Sequence, residues 1–537
     1  MKNKVVLFLA LVATLIPLQL AAAGTALPPD AAPPAQQILQ LPGAAQEGPY
    51  LDEDLTIYNR QDGTDLIQDP LVVYDPTTGK LNPVAAQSWS VSANKLTWSF
   101  KIRQGLVWSD GTPLTADDFA NALRIQASPK TAYDFTYWTE TVQGIKNWAA
   151  VNAGKMPISA LGVSTPDKYT LNITTDAPRS YLPAAMVYTW AEPAHVINRY
   201  GKNWATSLTH MVFSGPYKAT EWNKGVSITF VPNPTYHGVR KAPFSKIVWN
   251  IASGNQLAQF QTGQIDTSAP NPLGPGDLQV ALHTLPKDVV KASSYDIWYL
   301  TYNTFTKPFN DLRVRKAFNL SLDRQTLAND VLKNTALPNY SLLMPGFPGY
   351  DPSIKVPYDV KQAQQLLAAA GYPGGKGFPS ITIYVRNQSA EVAMTKPAAE
   401  YIQSQLKTNL GVNVGVKVID QKVFTDNLNK HKDPLYLVGY NYDYVDPSDF
   451  MDLFSTGGRH AWSNKQYDQT VAAADHSFDA TQRMALYEKA QRILAAQVPA
   501  SFLYVPVYSY LWNPKFANPY TLPQQTDDWM LKMYVKK

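Results

Sequence analysis

Residues 440–450, YNYDYVDPSDF, place Asp443, Asp446 and Asp449 among three tyrosines and one proline. Carboxylates this close in sequence support three kinds of chemistry. Two of them can work as a general acid and a general base. One can anchor a cationic ligand, because its pull on a cation grows as water leaves the site. All three can instead cap turns by accepting backbone N–H groups. The next cation toward the C-terminus is Arg459.

No second catalytic grouping stands beside them in the sequence. The seven histidines show no H-E-x-x-H spacing, and there is no cysteine, so no zinc site is supported. Neither a G-x-S-x-G elbow nor a phosphate-binding G-x-x-x-x-G-K-[ST] loop occurs. Ser92 and Lys95 match S-x-x-K, but Ser-Ala-Asn there reads as turn chemistry ahead of a strand. The sequence thus names no catalytic residue, no metal ligand and no cofactor.

Aromatic residues are abundant instead, with 13 Trp, 31 Tyr and 19 Phe. Tyrosine joins a flat apolar face to a polar tip, which suits sites that hold varied ligands without breaking bonds. The tyrosines cluster in YDFTYW (133–138), YDIWYLTYN (295–303), YNYDY (440–444) and YVPVYSYLW (504–512).

The elements that must position these groups mix helix and strand. Leu96, Trp98, Phe100 and Ile102 alternate with polar neighbours, as in a half-buried strand. Residues 226–234 and 246–251 read as further strands. Thr115 and Asp118 form a capping-box variant at the start of a helix. Residues 310–323, 360–371 and 479–497 read as helices, the last capped by Asp479 with Leu486, Tyr487, Ala490, Ile493 and Leu494 as its core stripe. The class is mixed α/β, without regular βαβ repetition.

A chain of 537 residues calls for two or three domains. Its formal charge of +5, without a basic run, gives no nucleic-acid signature. Lys2 and Lys4, the apolar VVLFLALVATLI and Ala21-Ala22-Ala23 describe a cleaved secretory signal peptide over residues 1–23. Without cysteine the exported chain has neither a disulfide nor a lipid anchor, so a free periplasmic protein is expected. Residues 24–49, rich in Ala, Pro and Gln, read as a flexible leader.

WSDGTPLTADDF (108–119) resembles a signature segment of the solute-binding proteins of peptide ABC transporters (family 5, oligopeptide-binding branch). SGPYKATEW, VPNPTYHG, KPFNDLRVRKAFNLSLDRQ, AQQLLAAAGYPG and VPVYSY follow in the same order, and the resemblance covers residues 66–537. It implies a periplasmic-binding-protein-like two-lobed hinge fold with a third, smaller lobe (type II, cluster C). Lobe I would comprise residues 50–68, 188–295 and 505–537, the small lobe 69–187, and lobe III 296–504. The implied partners are a peptide ligand and an inner-membrane ABC permease and ATPase, with a monomeric receptor.

The same resemblance makes Asp443 the anchor for a ligand α-ammonium. Gly439, Tyr440, Asn441 and Tyr442 would offer backbone contacts. Tyr299, Tyr510 and Phe135 would line pockets, and Lys430 and His431 would flank the cleft. Asp446 and Asp449 keep the reading of supporting or capping groups. A Leu-Asp-Pro segment near the N-terminus is missing, Asp296 and Asn441 stand where some relatives carry cysteines, and LYLV (435–438) lacks the arginine that some use for the ligand carboxylate. An oligosaccharide or metal chelate as cargo, and an exported hydrolase using Asp443 and Asp446, are the alternatives.

Overall fold

The computed structural model describes residues 27–43, 48–52, 54–58, 60–251, 254–522 and 526–537. The expected signal peptide lies outside them. Three sheets organise the chain. A four-stranded sheet runs in the order Ile38–Pro42, Lys246–Asn250, Ser227–Pro232, Tyr217–Asn223. A second, antiparallel throughout, runs Ala86–Val91, Thr97–Ile102, Thr170–Thr174, Val163–Asp167. The third has six strands, in the order Ala336–Pro338, Ala500–Pro506, Ile297–Tyr302, Leu435–Tyr440, Ile381–Asn387, Val414–Asp420. This is a mixed α/β architecture.

The expected elements form where the local signals place them. Thr97–Ile102, Ser227–Pro232 and Lys246–Asn250 are strands, and Leu312–Leu320, Val360–Ala369 and Ala480–Gln497 are helices. The Asp479 side chain accepts from the Gln482 N–H at 2.8 Å and caps the last of these. At the other helix start, Asp118 accepts from the Thr115 N–H at 2.7 Å. Ser92 and Asn94 bond each other in a turn, as their residue types suggest.

Two expectations change. The first is the leader over 24–49, because Ile38–Pro42 is a strand pairing in parallel with Lys246–Asn250. Its Leu39 and Leu41 are fully buried. The buried Gln37 side chain donates to the Ala32 and Val535 carbonyls at 2.9 and 3.0 Å and accepts from the Val535 N–H at 2.7 Å. Leucines alternating within ILQLP outweigh the surrounding Ala/Pro composition, since burial of apolar side chains decides docking.

The second concerns βαβ units. Ile381–Asn387, Val414–Asp420 and Leu435–Tyr440 are linked through helices Ser389–Leu410 and Gln421–Asn429, with both strand pairs parallel. Pro397 inside the long helix obscures its signal in the sequence. This unit delivers the strand Leu435–Tyr440, buried from Leu435 to Gly439, into the middle of the sheet.

Leu39→Ala tests the docking of the N-terminal strand. Deleting this fully buried side chain should cost about 2–5 kcal/mol in urea unfolding; a loss within error of zero would mean that the segment is not part of the core.

Candidate ligand-binding site

The 440–450 segment leaves the carboxyl end of a central strand, the position at which ligands meet open α/β sheets. Leu435–Tyr440 pairs antiparallel with Ile297–Tyr302, with Gly439 opposite Trp298. A Cβ at Gly439 would lie 2.6 Å from the Trp298 ring, so this position needs glycine. On the other side the parallel register covers Tyr436 and Leu437. The next residues run past it into the loop that carries the three aspartates.

The three carboxylates do three different things. Asp446 receives both Arg483 guanidinium nitrogens, at 2.7 and 2.5 Å, in a buried bidentate pair. It also accepts from the Ser448 N–H and hydroxyl at 3.0 and 2.6 Å. Asp449 holds the loop: it accepts from the Asp443 N–H at 2.8 Å and the Tyr444 N–H at 3.4 Å, and its Oδ1 lies 2.8 Å from the Tyr440 oxygen. Burial, and then the neighbouring Asp443 charge, push the Asp449 carboxyl well above the usual range.

Asp443 faces phenols. Its Oδ2 accepts from the Tyr440 hydroxyl at 2.9 Å and, in a short contact, from the Tyr137 hydroxyl. Burial raises its carboxyl, and these two donors and the Arg459 charge oppose the rise. The Asp443 charge acts in turn on Tyr58 and Tyr188, and burial first, then Asp443, lifts both phenols, Tyr58 to about 12. The rings interlock: Phe135 stacks on Trp138 at 5.4 Å and meets Tyr58, Tyr137 and Tyr188 edge-on at 5.6, 5.3 and 5.8 Å. Tyr442 packs edge-on to Tyr295 at 5.5 Å, and its buried hydroxyl lacks a hydrogen-bond partner.

The contact between Tyr137 and Asp443 belongs to a larger seam between residues 69–187 and 440–483. The Val445 N–H donates to the Tyr74 hydroxyl at 3.1 Å, and Tyr444 packs on Trp138 and Tyr181 at 5.3 and 5.9 Å. Ser180 donates to the Asp475 carbonyl at 3.0 Å, and Trp98 stacks on Phe478 at 5.9 Å.

Of the residues named from the sequence, Tyr440 reaches Asp443 through its hydroxyl, Phe135 packs on Tyr137 beside it, and Gly439, Asn441 and Tyr442 adjoin it along the chain. Tyr299 and Tyr510 are corrections. Tyr299 is fully buried, and its hydroxyl meets His460 Nε2 at 2.8 Å; burial holds that imidazole neutral, so it can accept. Tyr510 is equally buried, stacks on Tyr520 and donates to its carbonyl at 2.6 Å. Both tyrosines are core because each phenol finds an acceptor inside.

Lys430 and His431 are corrected as well. They precede the N-terminal end of the strand Leu435–Tyr440, whereas Asp443 follows its other end, roughly 20 Å away at about 3.3 Å per residue. Lys430 pairs with Asp426, and the His431 carbonyl accepts from Asn303 at 2.8 Å. Sequence reading missed Tyr58, Tyr137, Tyr188 and Arg483. The YDFTYW cluster was the available signal for Tyr137; the other three are brought near by the fold alone.

Residues 80–462 match the family described as bacterial extracellular solute-binding proteins, family 5 Middle. The chain belongs to this family. It is similar to the dipeptide-binding protein DppE of Bacillus subtilis, with 28% identity over 80% of this chain and 78% of DppE. Its likeness to the periplasmic oligopeptide-binding protein OppA of Salmonella typhimurium is 28% identity over 85% of this chain and 84% of OppA. Among solved structures it resembles the unliganded open form of the periplasmic murein tripeptide binding protein MppA. That match has a TM-score of 0.78 and 25% identity and covers 95% of this chain and 99% of MppA. The α/β two-lobed fold of the family is thereby established for this chain.

Arg483→Met should destabilise the protein by about 3–5 kcal/mol in urea unfolding, because it leaves the Asp446 carboxylate buried without its cation. Adding Asp446→Asn should recover part of that loss; strict additivity of the two changes would show that the pair does not act as a unit.

Proposed function

We propose that this chain is an extracytoplasmic receptor that captures oligopeptides between its lobes and delivers them to an ABC importer. The observation that carries the reading is Asp443: a carboxylate at the carboxyl end of a central strand, ringed by phenols, in a family of solute-binding proteins. A peptide α-ammonium supplies the charge such a carboxylate favours, and aromatic faces around it add cation–π attraction. Beyond Leu437 the strand runs past its parallel partner, which offers an extended peptide backbone a ladder to pair with. Relatives named for dipeptides, oligopeptides and a murein tripeptide support the same class of ligand.

In this reading the chain is a binding protein and not an enzyme. The bidentate Arg483 pair holds Asp446 away from an acid–base partnership with Asp443. Lobe I takes residues 50–68, 188–295 and 505–537, to which the strand Ile38–Pro42 is added; the small lobe takes 69–187 and lobe III 296–504. Residues 1–23 direct export to the periplasm. The receptor works as a monomer, and its closed form is what the permease and ATPase complex reads.

Native mass spectrometry of the purified protein tests this. Adducts spread over the masses of short peptides, lost in Asp443→Ala, are the expected result. One defined adduct without an amine, retained in the variant, would overturn the reading in favour of a sugar or a chelate.

Two further outcomes follow from the site. The ligand amine replaces the Tyr137 hydroxyl on Asp443, so Tyr137→Phe should tighten binding of a tripeptide by about tenfold in calorimetry; weaker binding would mean that the phenol stays in place beside the ligand. Binding needs the ionised carboxylate, and the Asp443 carboxyl is raised. Affinity should therefore fall on acidification at a pH above that of an ordinary aspartate, and Asp443→Asn should abolish that dependence.

A further inference from the structure

Away from the peptide site, three carboxylates meet inside the fold. Asp52, Asp54 and Glu192 each place an oxygen within 4.8 Å of the others. They are 0%, 0% and 1% exposed. Asp52 Oδ2, Asp54 Oδ2 and both Glu192 oxygens have no hydrogen-bond donor among the described residues. Burial pushes all three carboxyls up, and for Asp54 and Glu192 the neighbouring carboxylates add to the rise. Three like charges without a cation cannot stay ionised in a dry interior.

A neutral side chain points to what resolves this. Gln126, on the helix Ala116–Ala127, is 1% exposed, and its amide nitrogen stands 2.5 Å from Asp54 Oδ1 while its Oε1 is unpartnered. The two ends of an amide are interchangeable by a half-turn. Turned over, Gln126 presents its carbonyl oxygen beside Asp54 and adds a fourth hard oxygen to the three carboxylates.

We propose that Asp52, Asp54, Glu192 and the Gln126 amide oxygen form a binding site for one hard divalent cation of the Ca²⁺ type. Oxygen ligands at about 2.3–2.6 Å from a single ion span the spacing found here, and water fills the remaining positions. The all-oxygen set excludes soft-metal preference. A cavity of about 750 Å³ lies alongside, lined in part by Leu55, Ile125 and Trp204, which adjoin Asp54, Gln126 and Asp52. The ion ties three separate stretches of chain together. One of them continues into Thr56, Ile57 and Tyr58, which Asp134 holds through the Thr56 hydroxyl and two backbone N–H groups. The site therefore fixes the segment that carries Tyr58 to the neighbourhood of Asp443.

The test uses the full protein stripped with chelator and desalted, with Ca²⁺ and Tb³⁺ as probes. Trp204 neighbours Asp52 and can sensitise Tb³⁺ emission. The expected results are one Ca²⁺ per chain in native mass spectrometry, a rise in Tm on adding Ca²⁺, and Trp-sensitised Tb³⁺ emission that Ca²⁺ competes away. Glu192→Gln should weaken Tb³⁺ binding by at least about tenfold while raising the Tm of the metal-free protein, because it relieves the crowding of three buried acids. Asp54→Asn repeats the test should Glu192→Gln fail to fold. The proposal is overturned if stripped wild type shows neither stoichiometric Ca²⁺ nor a Tm response, or if the folded variant binds Tb³⁺ as wild type does. The carboxyls then share protons instead.

Discussion

A carboxylate keeps its charge away from water only when a cation or several hydrogen-bond donors face it. That constraint shapes the whole loop after the strand Leu435–Tyr440. Asp446 meets it with a guanidinium, whereas Asp449, with two backbone amides and a neighbouring carboxylate, is pushed toward its neutral form. Between them these two fix the backbone around Asp443 and so aim its carboxylate. Asp443 itself accepts from the Tyr440 and Tyr137 phenols, which places its carboxylate among aromatic faces that suit a ligand ammonium. The ordering of the loop and its affinity for a cation thus have one physical origin.

The phenols around Asp443 serve the same end. Burial and the nearby carboxylates push their ionisation upward, so they stay protonated and can donate. Each also presents an aromatic face. A cation entering among them meets a carboxylate, hydroxyl dipoles that can turn, and π-surfaces, none of which demands a particular side chain beyond the amine. Tolerance of sequence is built into such a lining, and the seam from residues 69–187 to 440–483 supplies half of it.

What the sequence made legible was local or periodic. Capping at Asp479 and alternation along Thr97–Ile102 act over a few residues and read directly. Family motifs singled out Asp443, which lies just past the end of the strand Leu435–Tyr440, and the segment around Gly439 and Tyr442 with it. The failures are of range. Leu39 and Leu41 are a strand only because Lys246–Asn250 lies ready beside them. Tyr299 and Tyr510 resemble pocket tyrosines in type, yet acceptors contributed by distant His460 and by Tyr520 make them core. Lys430 and His431 sit close to Asp443 in number, but a strand holds them apart. The acidic trio was invisible because its members are spread from residue 52 to residue 192.

The N-terminal strand has a consequence for how the chain is made. Its partner strand begins at Lys246, and the Gln37 side chain bonds to Val535, 498 residues further on. Contacts of such separation bring a large loop-closure cost and form late. A nascent chain emerging from its N-terminus holds Leu39 and Leu41 without a surface to cover them until both distant stretches arrive. The first sheet therefore cannot be completed piecemeal, and its N-terminal strand stays without its neighbour until at least residue 250 has been made.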